Sequence, residues 1–550
     1  MNFTKKIILF LFLDCFIFLS FLNAQQISRP KLVVGIAVDQ MRWDYLYRYY
    51  PRYQDGGFKR LLNEGFSCEN TFINYLPSYT AVGHTTIFTG SVPAIDGITG
   101  NDWIDQITGR KWYCTEDTTV STVGSSSKEG QMSPRNLLVS TITDELRLAT
   151  NFQSRVVGVS LKDRASILPA GHTANGAFWF DDATGNFITS TYYMKELPAW
   201  ANNFNKLKMP EKLSANEWNT LLPVSSYMQS TADNVPWEGL FKNEKSPVFP
   251  HRISALVKQD KGTIRSTPFG NTLTLDFAKA AIGGYNLGNG KATDFLTVNC
   301  ASTDYVGHKY GPNSIEVEDV YLRLDRDLAS FFSYLDNKIG KGNYLVFISA
   351  DHGAANSVGF MEDHNIPADL LQTNEIETNL VNFLNQKFGV DKLISSSINY
   401  HLSFDMKKIE DSKLDYEAVK KATVSFLEKQ PGIQFAADVE NIGSAPIPET
   451  IKTAIINGYN PKRTGPVIII PEPGWYGGSS KTGTTHGNWN PYDTHIPLIF
   501  FGWHIPHGNT NRKVNMTDIS ATLAALLHIQ QPNGCVGDVI TELTSNVGGK

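Results

Sequence analysis

Residues 31–38 (KLVVGIAV) are almost wholly apolar and end at Asp39. A short apolar run without alternation predicts a strand buried on both faces, as in a parallel sheet. Similar runs occur at 156–161, 295–300, 344–349, 466–470 and 496–501. Between them the period lengthens. Ser133-Pro134 reads as a helix start, with Leu137, Leu138, Ile142 and Leu146 on one face of a helix over 133–149. Further helices are predicted over 314–339 and 516–527. Strands alternating with helices predict an α/β fold, a doubly wound, mainly parallel sheet flanked by helices. Two stretches break the rhythm. Residues 170–275, rich in Asn, Trp, Pro and Ser, are expected to form an insertion lying over the sheet. Residues 370–460 carry short helical and strand-like pieces and read as a second insertion; the polar run 458–465 (GYNPKRTG) marks the loop back to the core. No internal repeat is visible.

A chain of 550 residues with 41% hydrophobic and 11% aromatic residues can bury a large core, which excludes wholesale disorder. A net charge of −5 implies no strongly basic face, so no nucleic-acid-binding surface is expected. The N-terminus changes the picture more. Lys5 and Lys6 precede an apolar run over 7–22, and Ala24 closes a plausible cleavage site before Gln25-Gln26. The run is about 16 residues, shorter than the roughly 20 that span a bilayer, and Asp14 interrupts it. Residues 1–24 therefore read as a cleaved signal peptide. Asp14 also makes Cys15 a poor lipidation site. The mature chain, 25–550, is expected to be periplasmic or secreted, with no stable membrane anchor. Export favours disulfides among Cys68, Cys114, Cys300 and Cys535. Cys68 with Cys114 is the expected pair, because both flank the same segment.

Several strands end in a carboxylate or a carboxylate–histidine set. Asp39 closes the first run, Asp304 and His308 follow the run at 295–300, and Asp351-His352-Gly353 follows 344–349. His486 lies in the loop 482–488 (TGTTHGN). Ligands of open α/β sheets bind outside the carboxyl ends of the strands. Imidazole mixed with carboxylate suits zinc, and these six residues divide into two sites of three, each with an open position. A single Asp after a strand is ordinarily a cap or turn residue, and a single His is ordinarily structural; joint placement carries the reading. His364 and His495 are the nearest competitors.

The segment 76–90 (LPSYTAVGHTTIFTG) holds a nucleophile candidate. Pro77 breaks what precedes it, residues 81–88 can form a helix, and Thr80 is expected at its N-cap, where N–H groups and the helix dipole favour an anion. Lys162 and Arg164 follow the run 156–161. Two positions apart on an extended chain, they are expected to point to one face, with Asp163 turned away. Two cations on one face would address an anionic ligand.

Asp39, the Thr80 segment, Gly97-Ile-Thr-Gly-Asn101, Lys162-Asp-Arg164, Asp304 to His308, Asp351-His352-Gly353 and Thr485-His486-Gly487, in this order, resemble the alkaline phosphatase superfamily. Within it they resemble the phosphate-irrepressible bacterial alkaline phosphatases that use a threonine nucleophile. The resemblance spans most of the mature chain. It implies two zinc ions per chain, one on Asp304, His308 and His486, the other on Asp39, Asp351, His352 and the Thr80 oxygen. It implies that Asn101 contacts a nonbridging phosphoryl oxygen, and that Lys162 stands where related enzymes hold a magnesium ion. The expected activity is hydrolysis of small phosphate monoesters of broad range through a phosphothreonine. The alternatives are a phosphodiesterase or nucleotide pyrophosphatase of the same superfamily and a noncatalytic secreted binding protein. A sulfatase is disfavoured, because Thr80 replaces the Cys or Ser that would become formylglycine.

Overall fold

A computed structural model describes residues 28–544. The expected signal peptide lies outside the described residues. The central sheet has ten strands. Its middle consists of Tyr344–Ser349, Leu32–Val38, Asp294–Cys300, Val156–Val159 and Gly176–Asp181, neighbours in that order and all parallel. Every residue of Leu32–Val38 is buried, as a strand with neighbours on both edges and helices on both faces requires. Leu498–Gly502 pairs antiparallel beyond Tyr344–Ser349. The sheet is thus mixed and mostly parallel.

Three sequence expectations change. The helix expected over 133–149 begins at Ile142, because Thr141 and Asp144 form a reciprocal capping box that fixes the start there. Leu137 is still buried, but Leu138 is exposed. Residues 176–190, expected to lie over the sheet, extend it: Gly176–Asp181 is wholly buried and pairs with Asn186–Ser190. The run at 466–470 becomes the strand Val467–Pro471, which belongs to a separate four-stranded antiparallel sheet with Ile394–Ile398, His401–Phe404 and Ile433–Asp438. Thr373–Phe388 and Tyr416–Leu427 cover one face of this smaller sheet, and Glu449–Gly458 packs with the other.

The Cys68–Cys114 pair does not form. All four cysteines of the described residues are free. Cys68 ends the strand Phe66–Cys68 of the central sheet and belongs to the main core, whereas Cys114 packs in a separate cluster with Trp103 and Leu137. Flanking one segment of chain did not bring the two thiols together.

Candidate active site

Four adjacent parallel strands deliver chemistry at their carboxyl ends. Lys162 follows Val156–Val159, Asp304 follows Asp294–Cys300, Asp39 follows Leu32–Val38, and Asp351-His352 follow Tyr344–Ser349. Asp304 and His308 sit one turn apart on the helix Ser302–Tyr310, with His308 Nε2 3.0 Å from Asp304 Oδ1. His486 arrives from a loop that Asp493 secures by accepting the N–H groups of Gly487 and Asn488. The result is two groups, Asp304–His308–His486 and Asp39–Asp351–His352. In each, the possible ligand atoms lie within 4.8 Å of one another.

The imidazoles share one orientation. Nδ1 of His308 is 2.8 Å from the Thr484 carbonyl, that of His352 is 2.9 Å from the Gly353 carbonyl, and that of His486 is 2.7 Å from the Ser78 carbonyl. A carbonyl only accepts, so each Nδ1 carries a proton and Nε2 is the nitrogen turned toward the carboxylates. His352 Nε2 is 3.3 Å from Asp351 Oδ2 and 3.7 Å from Asp39 Oδ1. Those two oxygens are buried and have no hydrogen-bond partner. Buried carboxylate oxygens without a hydrogen-bond partner need positive charge among them, supplied by a proton on Nε2 or by a metal ion that replaces it. Burial alone would lower the His352 pKa, yet Asp351 raises it to about 9, another sign of the negative field here. These donor sets fit divalent zinc.

Thr80 opens the helix Thr80–Thr89 but is not its N-cap; that position belongs to Tyr79, whose backbone is extended. The Thr80 hydroxyl is therefore not spent on the helix and lies 3.4 Å from His352 Nε2. Asn101 serves the helix end instead, its Oδ1 accepting the Ala81 N–H at 3.0 Å. Gly83 lets this helix cross close to the strand end: a Cβ there would lie 2.2 Å from the Asp351 carbonyl oxygen.

Lys162 and Arg164 do not lie on one extended strand. The strand ends at Val159, Lys162 is the extended N-cap of the helix Asp163–Ala170, and Arg164 is in its first turn. Lys162 Nζ lies 2.9 Å from Asp39 Oδ2 and 2.7 Å from Asp304 Oδ2, one carboxylate from each group. Burial by itself would raise the pKa of Asp39, but Lys162 holds it below the ordinary range. Arg164 Nη1 donates to the Tyr113 hydroxyl at 3.1 Å, and its Nε has no hydrogen-bond partner. Asp163 accepts from Tyr113 and Thr115.

Sequence reasoning missed three contributors. Gln40, with φ of 62°, donates its backbone N–H to Asp351 and its amide to Asp304 at 2.8 Å. His84, one turn past Thr80, is fully buried with Nε2 3.5 Å from Asp351 Oδ2 and 3.8 Å from Asp39 Oδ2. Asp493 is the third. Only the adjacency of Gln40 to Asp39 and the four-residue spacing of His84 from Thr80 could have flagged the first two. The competing histidines are elsewhere: His364 bonds its own helix, and His495 stacks between Trp43 and Phe72.

The family model of type I phosphodiesterase / nucleotide pyrophosphatase matches residues 33–494. Alkaline phosphatase PafA of Elizabethkingia meningoseptica is 57% identical over 94% of this chain and 95% of its own. Alkaline phosphatase PhoV of Synechococcus elongatus is 54% identical over 94% of both chains. A crystal structure of wild-type PafA superposes with a TM-score of 0.93, covering 94% of this chain and all of that one. With two carboxylate–imidazole groups at the strand ends and this likeness along most of its length, the chain belongs to the type I phosphodiesterase / nucleotide pyrophosphatase family, within the alkaline phosphatase superfamily.

Proposed function

We propose that this chain is an exported alkaline phosphatase that hydrolyses small phosphate monoesters with two zinc ions and Thr80 as nucleophile. The names of its relatives support the reaction class. The observation that carries the monoester reading is the placement of Lys162, buried between one carboxylate of each group, with Arg164 two residues on. One zinc is assigned to Asp304, His308 and His486, the other to Asp39, Asp351, His352 and the Thr80 oxygen.

When bound, the two ions supply Lewis acidity: they draw charge from the phosphoryl oxygens and ease deprotonation of a hydroxyl or a water. The chain's own residues do the rest. Thr80 Oγ1, uncommitted to the helix, attacks phosphorus while the ester alcohol departs in line on the side of Asp304, His308 and His486. Asn101 has its Oδ1 fixed by Ala81, so its amide Nδ2 is the end that donates to a nonbridging oxygen. Lys162 and Arg164 bring positive charge toward the other nonbridging oxygens, where a monoester carries more negative charge than a diester. Against the cost of burial, Lys162 also keeps Asp39 ionised, and His308 together with Lys162 keeps Asp304 ionised. Water then cleaves the phosphothreonine, releases phosphate and restores Thr80.

The test compares kcat/KM for a phosphate monoester with that for its methyl diester. The expected outcome is a preference of orders of magnitude for the monoester. A diester turned over as well or better would favour the phosphodiesterase reading that the family model's name suggests. Metal analysis separates both from a binding protein, which would hold no zinc. Export predicts a mature chain that begins at Gln25, read by N-terminal sequencing. Among the described residues no helix is long and apolar enough to cross a membrane.

A further inference from the structure

Next to His486 lies a cavity of about 250 Å³ that the reaction does not yet use. Tyr79, Thr485 and His486 bound it on the central-sheet side, and the smaller sheet with the helix Thr373–Phe388 bounds it on the other. Tyr79 stands edge-on to His486, ring centroids 5.6 Å apart. The inner wall is apolar, formed by buried Leu371, Ile376, Leu380 and Leu402. The rim is polar: Thr373, Asn374 and Ser397 are exposed, and Glu377 adds a negative charge. Among the described residues no lysine or arginine lines it.

The far wall is held in place. Asn399 and Tyr400 form a tight turn between two strands, with φ of 56° and 61°. That left-handed region is costly for a bulky aromatic residue unless contacts enforce it. Here they do: the Tyr400 hydroxyl accepts the Gly477 N–H at 3.2 Å, and Asn399 Nδ2 donates to the Asp102 carbonyl at 2.8 Å. Asp102 adjoins Asn101, so one wall of the cavity is tied to the loop that carries a phosphoryl contact.

We propose that this cavity receives the alcohol half of the phosphate ester and selects uncharged, flat apolar alcohols. The inference rests on the phosphate monoesterase reading, in which the alcohol departs on the His486 side. The volume exceeds the roughly 150 Å³ that admits a benzene ring. Apolar walls with a few convergent polar groups are the usual make-up of a small-molecule site. With Glu377 at the rim and no cation, alcohols bearing additional phosphates are disfavoured.

The test uses the zinc-loaded full chain with benzyl phosphate and ethyl phosphate, whose alcohols are of similar acidity. Benzyl phosphate is expected to show a kcat/KM at least roughly tenfold higher, the size of discrimination an apolar pocket provides. Ser397→Trp, which adds bulk at the rim, should pull that ratio toward one. A wild-type ratio near one, or a ratio unchanged in a folded Ser397→Trp enzyme, overturns the proposal. Inhibition constants for benzylphosphonate and ethylphosphonate on the wild-type enzyme decide independently of any variant: equal constants also overturn it. Turnover of neither ester would instead sink the monoesterase reading itself.

Discussion

The Lys162 ammonium lies 2.7 Å from Asp304 Oδ2. The same ammonium reaches Asp39, so one buried cation joins a carboxylate from each of two groups that carry net negative charge. Each carboxylate gives Lys162 one oxygen and turns the other toward imidazole: Asp304 Oδ1 to His308 and His486, Asp39 Oδ1 to His352. Removing the lysine would leave both carboxylates buried without their shared counter-charge.

The double substitution Lys162→Ala with Arg164→Ala is therefore expected to harm monoester turnover much more than diester turnover. One charged hydrogen bond is worth roughly 1.5–3 kcal/mol, about ten- to over a hundredfold in rate. The two losses need not add, because in the proposed mechanism both groups address one ligand. The measurement is the ratio of monoester to diester kcat/KM in both proteins. An unchanged ratio would remove this pair as the source of monoester preference.

Thr80→Ala should abolish turnover while the protein stays folded. Thr80 makes no capping bond and Ala is the better helix former, so stability should change by no more than about 1 kcal/mol. Thr80→Ser should keep substantial activity, since the reaction needs the oxygen and not the methyl. Acid quenching during turnover should trap phosphate on Thr80. Thr85 donates its hydroxyl to the Ala81 carbonyl, so phosphate found there would identify a different nucleophile.

Chelation should abolish activity, and zinc should restore it better than magnesium, because the ligands mix nitrogen and oxygen. Zinc should also raise the melting temperature of the stripped protein, a readout independent of catalysis. Full activity in magnesium alone would be incompatible with the two-zinc assignment.

Asp96 supplies a pH dependence away from the metal groups. It is fully buried, and burial pushes its carboxyl from 3.8 to about 7. The folded protein therefore holds this proton more tightly than the unfolded chain. The stability it contributes is complete below about pH 4 and is lost as pH rises toward 7. Asp96→Asn keeps the oxygen that accepts the Ile98 N–H and cannot ionise. Relative to wild type, the variant should gain on the order of 1–3 kcal/mol between pH 5 and pH 8. Parallel melting curves against pH for the two proteins would contradict this.

Local chemistry made part of this protein legible. Leu32–Val38, Asp294–Cys300 and Tyr344–Ser349 could be read directly, because a strand covered on both faces must be apolar throughout. Since parallel strands share one direction, the residues just past them meet at one edge, and so Asp39, Asp304 and Asp351 could be grouped. Tertiary structure decided the rest. The Lys162–Asp39 contact spans 123 positions and that of Gln40 with Asp304 spans 264, separations that no periodicity encodes. Val467–Pro471 reads like any buried strand, yet it joins the smaller sheet, because pairing partners and not composition choose a strand's sheet. Thr80 was expected to cap its own helix, and the fold freed its hydroxyl by bringing Asn101 to that helix end. Sequence determines which elements form and which ends carry charge; only packing determines which of those charges face one another.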